Sequence, residues 1–175
     1  ASKILIRDFG EIEKLQVSKK GPNDFVTNSD IKAEKIIIEE LNKGRPNYSI
    51  ISEENGIEKN KDLKNTWIID PIDGTINFLH GLPHFAISIA LKSDDEIISG
   101  LIFDPIKDEM FYAEKDNGAF FNNHRIRVSK KNDINNCLFA SGNKVTEKVN
   151  ISLRKTGSAA LDMAYVAAGR FDGFF

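Results

Sequence analysis

The apolar positions of this chain change period as it runs. Ile4, Leu5 and Phe9 fall at near-helical spacing and Gly10 closes that turn, which predicts a first helix. Leu15 and Val17 alternate as in a strand, and Gly21-Pro22-Asn23-Asp24 reads as a turn. Asn28, Ser29 and Asp30 are good N-cap types ahead of Ala33, Ile37 and Leu41, which share one helix face, and Gly44 and Pro46 end that helix. Apolar runs at Ile50–Ser52 and Trp67–Asp70 predict buried strands. Phe85, Ile87, Ile89 and Leu91 alternate, as a half-buried strand does. Ile97–Phe103 and Met110–Ala113 add strands, with hairpin turns at Asn117-Gly118 and Asn122-Asn123. Ser158 is the predicted cap of a late helix through Ala168, ended by Gly169.

Helices first and hairpin-linked strands after them predict packed helix and sheet layers, a mixed α+β fold. A length of 175 residues fits one domain with a real core. Apolar content of 41% and charged content of 29% are those of a globular protein, and a net charge of −2 sets up no strong field for nucleic acid or an anionic membrane. Cys137 is the single cysteine, so no internal disulfide forms, which fits a reducing, cytoplasmic setting. No apolar run reaches the roughly 18 residues of a membrane span, and no signal peptide is legible.

The candidate chemistry sits where apolar runs meet acids. Trp67-Ile68-Ile69 ends in Asp70-Pro71-Ile72-Asp73-Gly74-Thr75. Pro71 cannot donate to a strand ladder, so the strand is expected to stop near Asp70. That leaves Asp70 and Asp73 together at a strand end, where like charges repel unless a cation lies between them. Upstream, Ile50-Ile51-Ser52 runs in the same way into Glu53-Glu54-Asn55-Gly56. If the two strands are neighbours, Glu53, Asp70 and Asp73 converge. Carboxylates without Cys or paired His favour Mg²⁺, or Mn²⁺, over zinc. His80 and His84 flank Gly81-Leu82-Pro83 and read as surface residues rather than ligands.

The segment from Trp67 to Phe78 resembles the first signature of the inositol monophosphatase family, the Mg²⁺-dependent, lithium-sensitive sugar phosphatases. Ser52 to Gly56 resembles the family's paired-Glu element. Asn23 to Thr27 with Asp30 resembles the element at its first long helix, and Gly157 to Asp162 resembles a segment lining its pocket. The likeness spans about Lys3 to Phe175 and is strongest to the bacterial, extragenic-suppressor branch. It implies a layered α-β-α-β-α sandwich, with residues 1 to about 130 in a larger subdomain and about 131 to 175 beginning a second. It implies hydrolysis of a small phosphorylated polyol or sugar, inositol 1-phosphate first, with no phosphoenzyme. Fructose bisphosphate, histidinol phosphate and adenosine bisphosphate are the alternatives.

The same resemblance distributes roles. Glu53, Asp70 and the Ile72 carbonyl hold one Mg²⁺; Asp70 and Asp73 hold a second; Glu53 helps a third through water. Thr75 orients the attacking water with Asp30 as its partner. The backbone N–H groups of Gly74 and Thr75 cradle phosphate. Asp73, Gly157, Ser158 and Ala159 face the inositol ring, and Arg154 lies near it. Lys19 matches a Lys that hydrogen-bonds metal-bound water, though a solvated Lys is the simpler reading. Family members carry a further Asp beyond a segment like Arg170 to Phe175, and a longer connection between Ser141 and Gly157. These differences predict omitted segments, with a break near Val145–Val149. Homodimers are common in the family, and some bacterial relatives partner the transcription antitermination machinery and RNA polymerase.

Overall fold

In the computed structural model of the chain, residues 1–11, 17–21, 24–142 and 151–175 are described. Leu15, Asn23 and the expected break near Val145–Val149 lie outside them, as does the side chain of Lys19.

Helix α1 (Ser2–Phe9) packs on α2 (Asn28–Gly44), and β1 (Val17–Gly21) pairs antiparallel with β2 (Asp24–Thr27) between them. The cap of α2 is Thr27, one residue before the expected set. Its backbone is extended, and its hydroxyl oxygen accepts the N–H groups of Ser29 at 3.0 Å and Asp30 at 3.2 Å. Asp30 closes a capping box by accepting the Thr27 N–H at 2.8 Å. Buried Asp8 accepts the Ser29 hydroxyl at 2.8 Å and so ties α1 to the start of α2.

The strands β3 (Tyr48–Ser52), β4 (Gly56–Glu58), β5 (Asp62–Asp73), β6 (Ala86–Ser93), β7 (Glu96–Asp104), β8 (Glu109–Glu114), β9 (Gly118–Phe121) and β10 (His124–Arg125) make one large sheet. Its order is β10-β9-β8-β7-β6-β5-β3-β4. β3 and β5 are parallel neighbours and the other pairs are antiparallel. Short α3 (Thr75–Leu79) follows β5 directly. Five residues do not hold a helix alone. Phe78 anchors it: the ring is fully buried and meets Phe85 edge-on at 5.0 Å, a burial worth about 2–3 kcal/mol.

A second sheet is wholly parallel, with β11 (Leu138–Ala140) between β12 (Ser152–Arg154) and β13 (Gly173–Phe174). Helix α4 (Ala159–Ala167), capped by Ser158 as expected, packs on both β13 and the large sheet. Successive residues of a strand face opposite sides. Ile87 therefore joins Leu5, Ala33, Ile37 and Ile69 under α1 and α2, while Ala86 joins Phe111, Leu161 and Ala164 under α4. The described residues thus stack as helices, sheet, helix, sheet, the mixed α+β layering expected. No helix among them is long and apolar enough to cross a membrane.

Candidate metal centre

Strand β5 does not stop at Asp70. It continues to Asp73 through a bulge, because Pro71 stands at a point where the ladder asks for no N–H. Asp70 pairs with Ser88 and Asp73 with Ala86, so Pro71 and Ile72 together stand against Ile87. Three residues along a regular strand would put the two aspartates on opposite faces. Their partners on β6 are two apart and share a face, so Asp70 and Asp73 share one too. The bulge's own polar groups are satisfied by site residues. Ile72 N–H donates to Asp70 Oδ1 at 3.0 Å, and the Thr75 hydroxyl donates to the Ile72 carbonyl at 3.0 Å.

Glu53 reaches the same place from the neighbouring strand. Ser52 pairs with Ile69, and the Glu53 N–H donates to the Ile69 carbonyl at 3.2 Å. Burial pushes the Asp70 carboxyl up to about 9, helped by the Glu53 carboxyl hydrogen-bonded to it and by the charge of Asp73. At neutral pH Asp70 therefore keeps its proton. Among the described residues no three His, Cys, Asp or Glu side chains stand as a finished cage. Mg²⁺ does not ask for one, since it takes one or two carboxylates and completes its shell with carbonyls, water and phosphate. An all-oxygen donor set that must recruit a proton fits a hard cation in the proton's place.

Asp73 faces Asp70 but is held from the far side. Its Oδ2 accepts the Ser158 hydroxyl and, at 2.8 Å, the Ala160 N–H at the start of α4. Ser158 is buried, and its hydroxyl oxygen also accepts the Leu161 N–H at 3.3 Å as the helix cap. Ala159, half-buried, follows it. Gly157 (φ +91) lies against α3: a Cβ there would meet the Asn77 side-chain amide at 2.8 Å. Gly74 (φ +99) is the N-cap of α3, so Thr75 is its first helical residue rather than its cap. Arg154 is exposed on β12 and donates to the Leu153 carbonyl at 3.0 Å.

Asp30 is buried in the first turn of α2, the helix that packs on β5. Its carboxyl is pushed up to about 6, mainly by burial; the charge of Glu54 adds to this, while hydrogen bonds from Thr27 oppose it. Among the described hydrogen bonds Asp30 meets Thr27, and Thr75 meets Ile72. His80 is exposed as read, but His84 is half-buried and edge-on to Tyr165 at 5.9 Å, not a surface residue. The loop between them turns back over α3, which carries the second ring inward.

Asn77 carries no motif of its own in the sequence. Its amide donates to the His84 carbonyl at 2.7 Å and to the Thr156 carbonyl at 2.8 Å, joining α3 to the approach to α4. A polar residue beside Phe78 in an apolar turn was the available signal. Glu34 carries no motif either, although it stands one turn after Asp30 on the same helix face.

The profile of the Inositol monophosphatase family matches residues 1–175. The chain belongs to that family. An inositol-1-monophosphatase of Rhizobium meliloti is 46% identical to it over 190 aligned positions, covering 100% of this chain and 71% of the relative. A protein of Escherichia coli named Nus factor SuhB is 40% identical over 190 aligned positions, with the same coverage of 100% and 71%. The crystal structure of the extragenic suppressor protein suhB of Bartonella henselae superposes with a TM-score of 0.94 at 46% identity, covering 99% of this chain and 72% of that one. In this inositol monophosphatase family member, then, the bulged strand end and the α4 N-terminus meet within a fold shared with suhB.

Proposed function

We infer that this family member hydrolyses a small phosphate monoester with the help of a divalent cation, Mg²⁺ first and Mn²⁺ second, and that inositol 1-phosphate is its leading substrate. One observation carries the reading: the bulge puts Asp70 and Asp73 on one face, against Glu53, so that Asp70 holds a proton where a cation would serve. Glu53, Asp70, Asp73 and the Ile72 carbonyl are the residues that would hold two or three such ions. Bound there, the metal neutralises phosphate charge and lowers the pKa of water.

The chain's own groups do the rest. Thr75 orients the water, and Asp30 is the partner to which its hydroxyl turns from the Ile72 carbonyl. Gly74 and Thr75 present their backbone N–H groups to the phosphate, and glycine suits the φ of +99° at Gly74, where a Cβ would press on the His84 and Gly157 carbonyls at 3.2 and 3.3 Å. Asp73, Gly157, Ser158 and Ala159 form the wall for the polyol ring, with Arg154 at its rim. Phosphate leaves by direct hydrolysis, with no covalent intermediate on the protein.

The test is phosphate release from myo-inositol 1-phosphate by the intact protein, with and without Mg²⁺, beside fructose bisphosphate, histidinol phosphate and adenosine bisphosphate. Mg²⁺-dependent turnover that disappears in Asp70→Asn supports the reading, and the panel ranks the substrates. No turnover on any of them sinks it. The name of the Escherichia coli relative favours a second reading, a cytoplasmic partner of the antitermination machinery. RNA polymerase retained by the immobilised protein, with a cellular role that survives Asp70→Asn, would support it. Sedimentation would show whether the working unit is a homodimer, and lithium titration whether turnover is lithium-sensitive.

A further inference from the structure

Glu34 lies in α2 among the apolar residues of its inner face, and its side chain is completely buried. A buried carboxylate is costly unless it is hydrogen-bonded. Here four donors converge on it. Oε1 accepts the Ser52 hydroxyl at 2.9 Å, the Asn55 N–H at 3.1 Å and the Asn55 side-chain amide at 2.5 Å. Oε2 accepts the Glu54 N–H at 2.9 Å. That is about the full capacity of an ionised carboxylate.

All four donors belong to one short piece of chain, the end of β3 and the turn into β4. Ser52 immediately precedes Glu53 and Glu54 immediately follows it. The backbone is therefore gripped on both sides of Glu53, while Glu53 itself is exposed and free to reach Asp70. An apolar residue in line with Ala33 and Ile37 would leave those four donors without an acceptor. Holding two backbone N–H groups, a hydroxyl and an amide at once needs a group that only accepts.

The geometry assigns Glu34 as a positioning residue of the metal centre: from beneath the sheet end it fixes the turn that keeps the Glu53 carboxyl against Asp70. The assignment rests on the reading of Glu53 as a ligand. Glutamine is the discriminating replacement. It has one acceptor oxygen, so with its oxygen at the Oε1 position its NH₂ confronts the Glu54 N–H, and the turn loses its hold next to Glu53.

The experiment is Mn²⁺ binding to the intact protein followed by electron paramagnetic resonance, with the melting temperature of each metal-free variant taken alongside. In Glu34→Gln the Mn²⁺ dissociation constant is expected to rise about 10–100-fold, as when a group supporting a ligand is lost. Ser52→Ala, which removes one donor of four, moves it the same way by less. A brace that serves only folding would lower the melting temperature and leave the affinity of the folded protein alone. Wild-type affinity in folded Glu34→Gln, with affinity lost in Glu53→Gln, overturns the assignment and leaves the ligand reading standing. Wild-type affinity in Glu53→Gln, or no Mn²⁺ binding by the wild type, overturns the ligand reading itself. If Glu34→Gln does not fold, wild-type affinity in Ser52→Ala overturns the assignment.

Discussion

The carboxylate of Asp73, at the end of β5 in the large sheet, accepts the N–H of Ala160 at 2.8 Å, in the first turn of the helix that carries the small sheet. The positive end of α4 stabilises that charge by about 0.3–1 kcal/mol. The same bond fixes the distance between two layers that share no strand. Asp73 is thus oriented before any ligand arrives, with one oxygen committed to the helix and the other available.

Asp70→Asn should abolish divalent-ion binding and lower kcat/KM about 10³-fold or more, since several kcal/mol of charge stabilisation go with it. The metal-free protein should melt no lower than wild type, because the substitution removes a carboxyl that burial and Glu53 already penalise. Calorimetry of both proteins in chelator checks the second half; a clear loss of stability would refute it.

Stability of the metal-free protein should fall as pH rises. The native state keeps protons on Asp30 up to about pH 6 and on Asp70 up to about pH 9, where the unfolded chain has released them near pH 4. Fewer protons on the unfolded chain make the slope of unfolding free energy against pH negative over that window. Added Mg²⁺ should reverse the trend, since it displaces the Asp70 proton, with about one proton released per protein as the site fills near neutrality. Urea titrations in chelator from pH 5 to 9, and calorimetric binding in buffers of different ionisation enthalpy, measure the two effects.

Asn77→Ala should destabilise the fold by about 2–4 kcal/mol, because the partly buried carbonyls of His84 and Thr156 both lose a donor. Asn77→Asp should do worse, since it turns acceptor oxygens toward those carbonyls. Urea midpoints order the three proteins; an Asp variant as stable as wild type would contradict the bonding described.

Thr75→Ala should lower kcat about 10²–10⁴-fold while moving Mg²⁺ activation little, and Thr75→Ser should keep most activity. Collapse of Mg²⁺ affinity in Thr75→Ala would instead make its bond to the Ile72 carbonyl the important one.

Much of this is legible in the residues. The alternation from Phe85 to Leu91 and the acids after Ile69 are read from one strand at a time, and local pattern suffices for them. What resists is whatever depends on counting across two strands or on a bond between distant segments. Pro71 looks like a stop because its missing N–H is visible, while the pairing that makes the N–H unnecessary lies on β6. Thr27 was hidden behind three equally good capping types, and backbone conformation alone chooses among them. Glu34 shares a stripe with Asp30, Ala33 and Ile37, yet a charged residue there suggests solvent until the donors of the β3–β4 turn are seen. Ser158 reads correctly as a cap, but its second bond, to Asp73, reaches back 85 residues along the chain.

The bulge at Pro71 and Ile72 makes the interval between the two aspartates a question of odd and even. A sheet has two sides, and a strand visits them in strict alternation, so an odd interval separates and an even one unites. Here an odd interval unites, because the strand changes step once between its two acids. Deleting Ile72 would shorten the interval to an even one, yet without the bulge Pro71 would fall in the regular ladder, and Thr75 would lose the carbonyl that holds it. The proline is the place where the strand's two sides exchange names, and the site exists on the far side of that exchange.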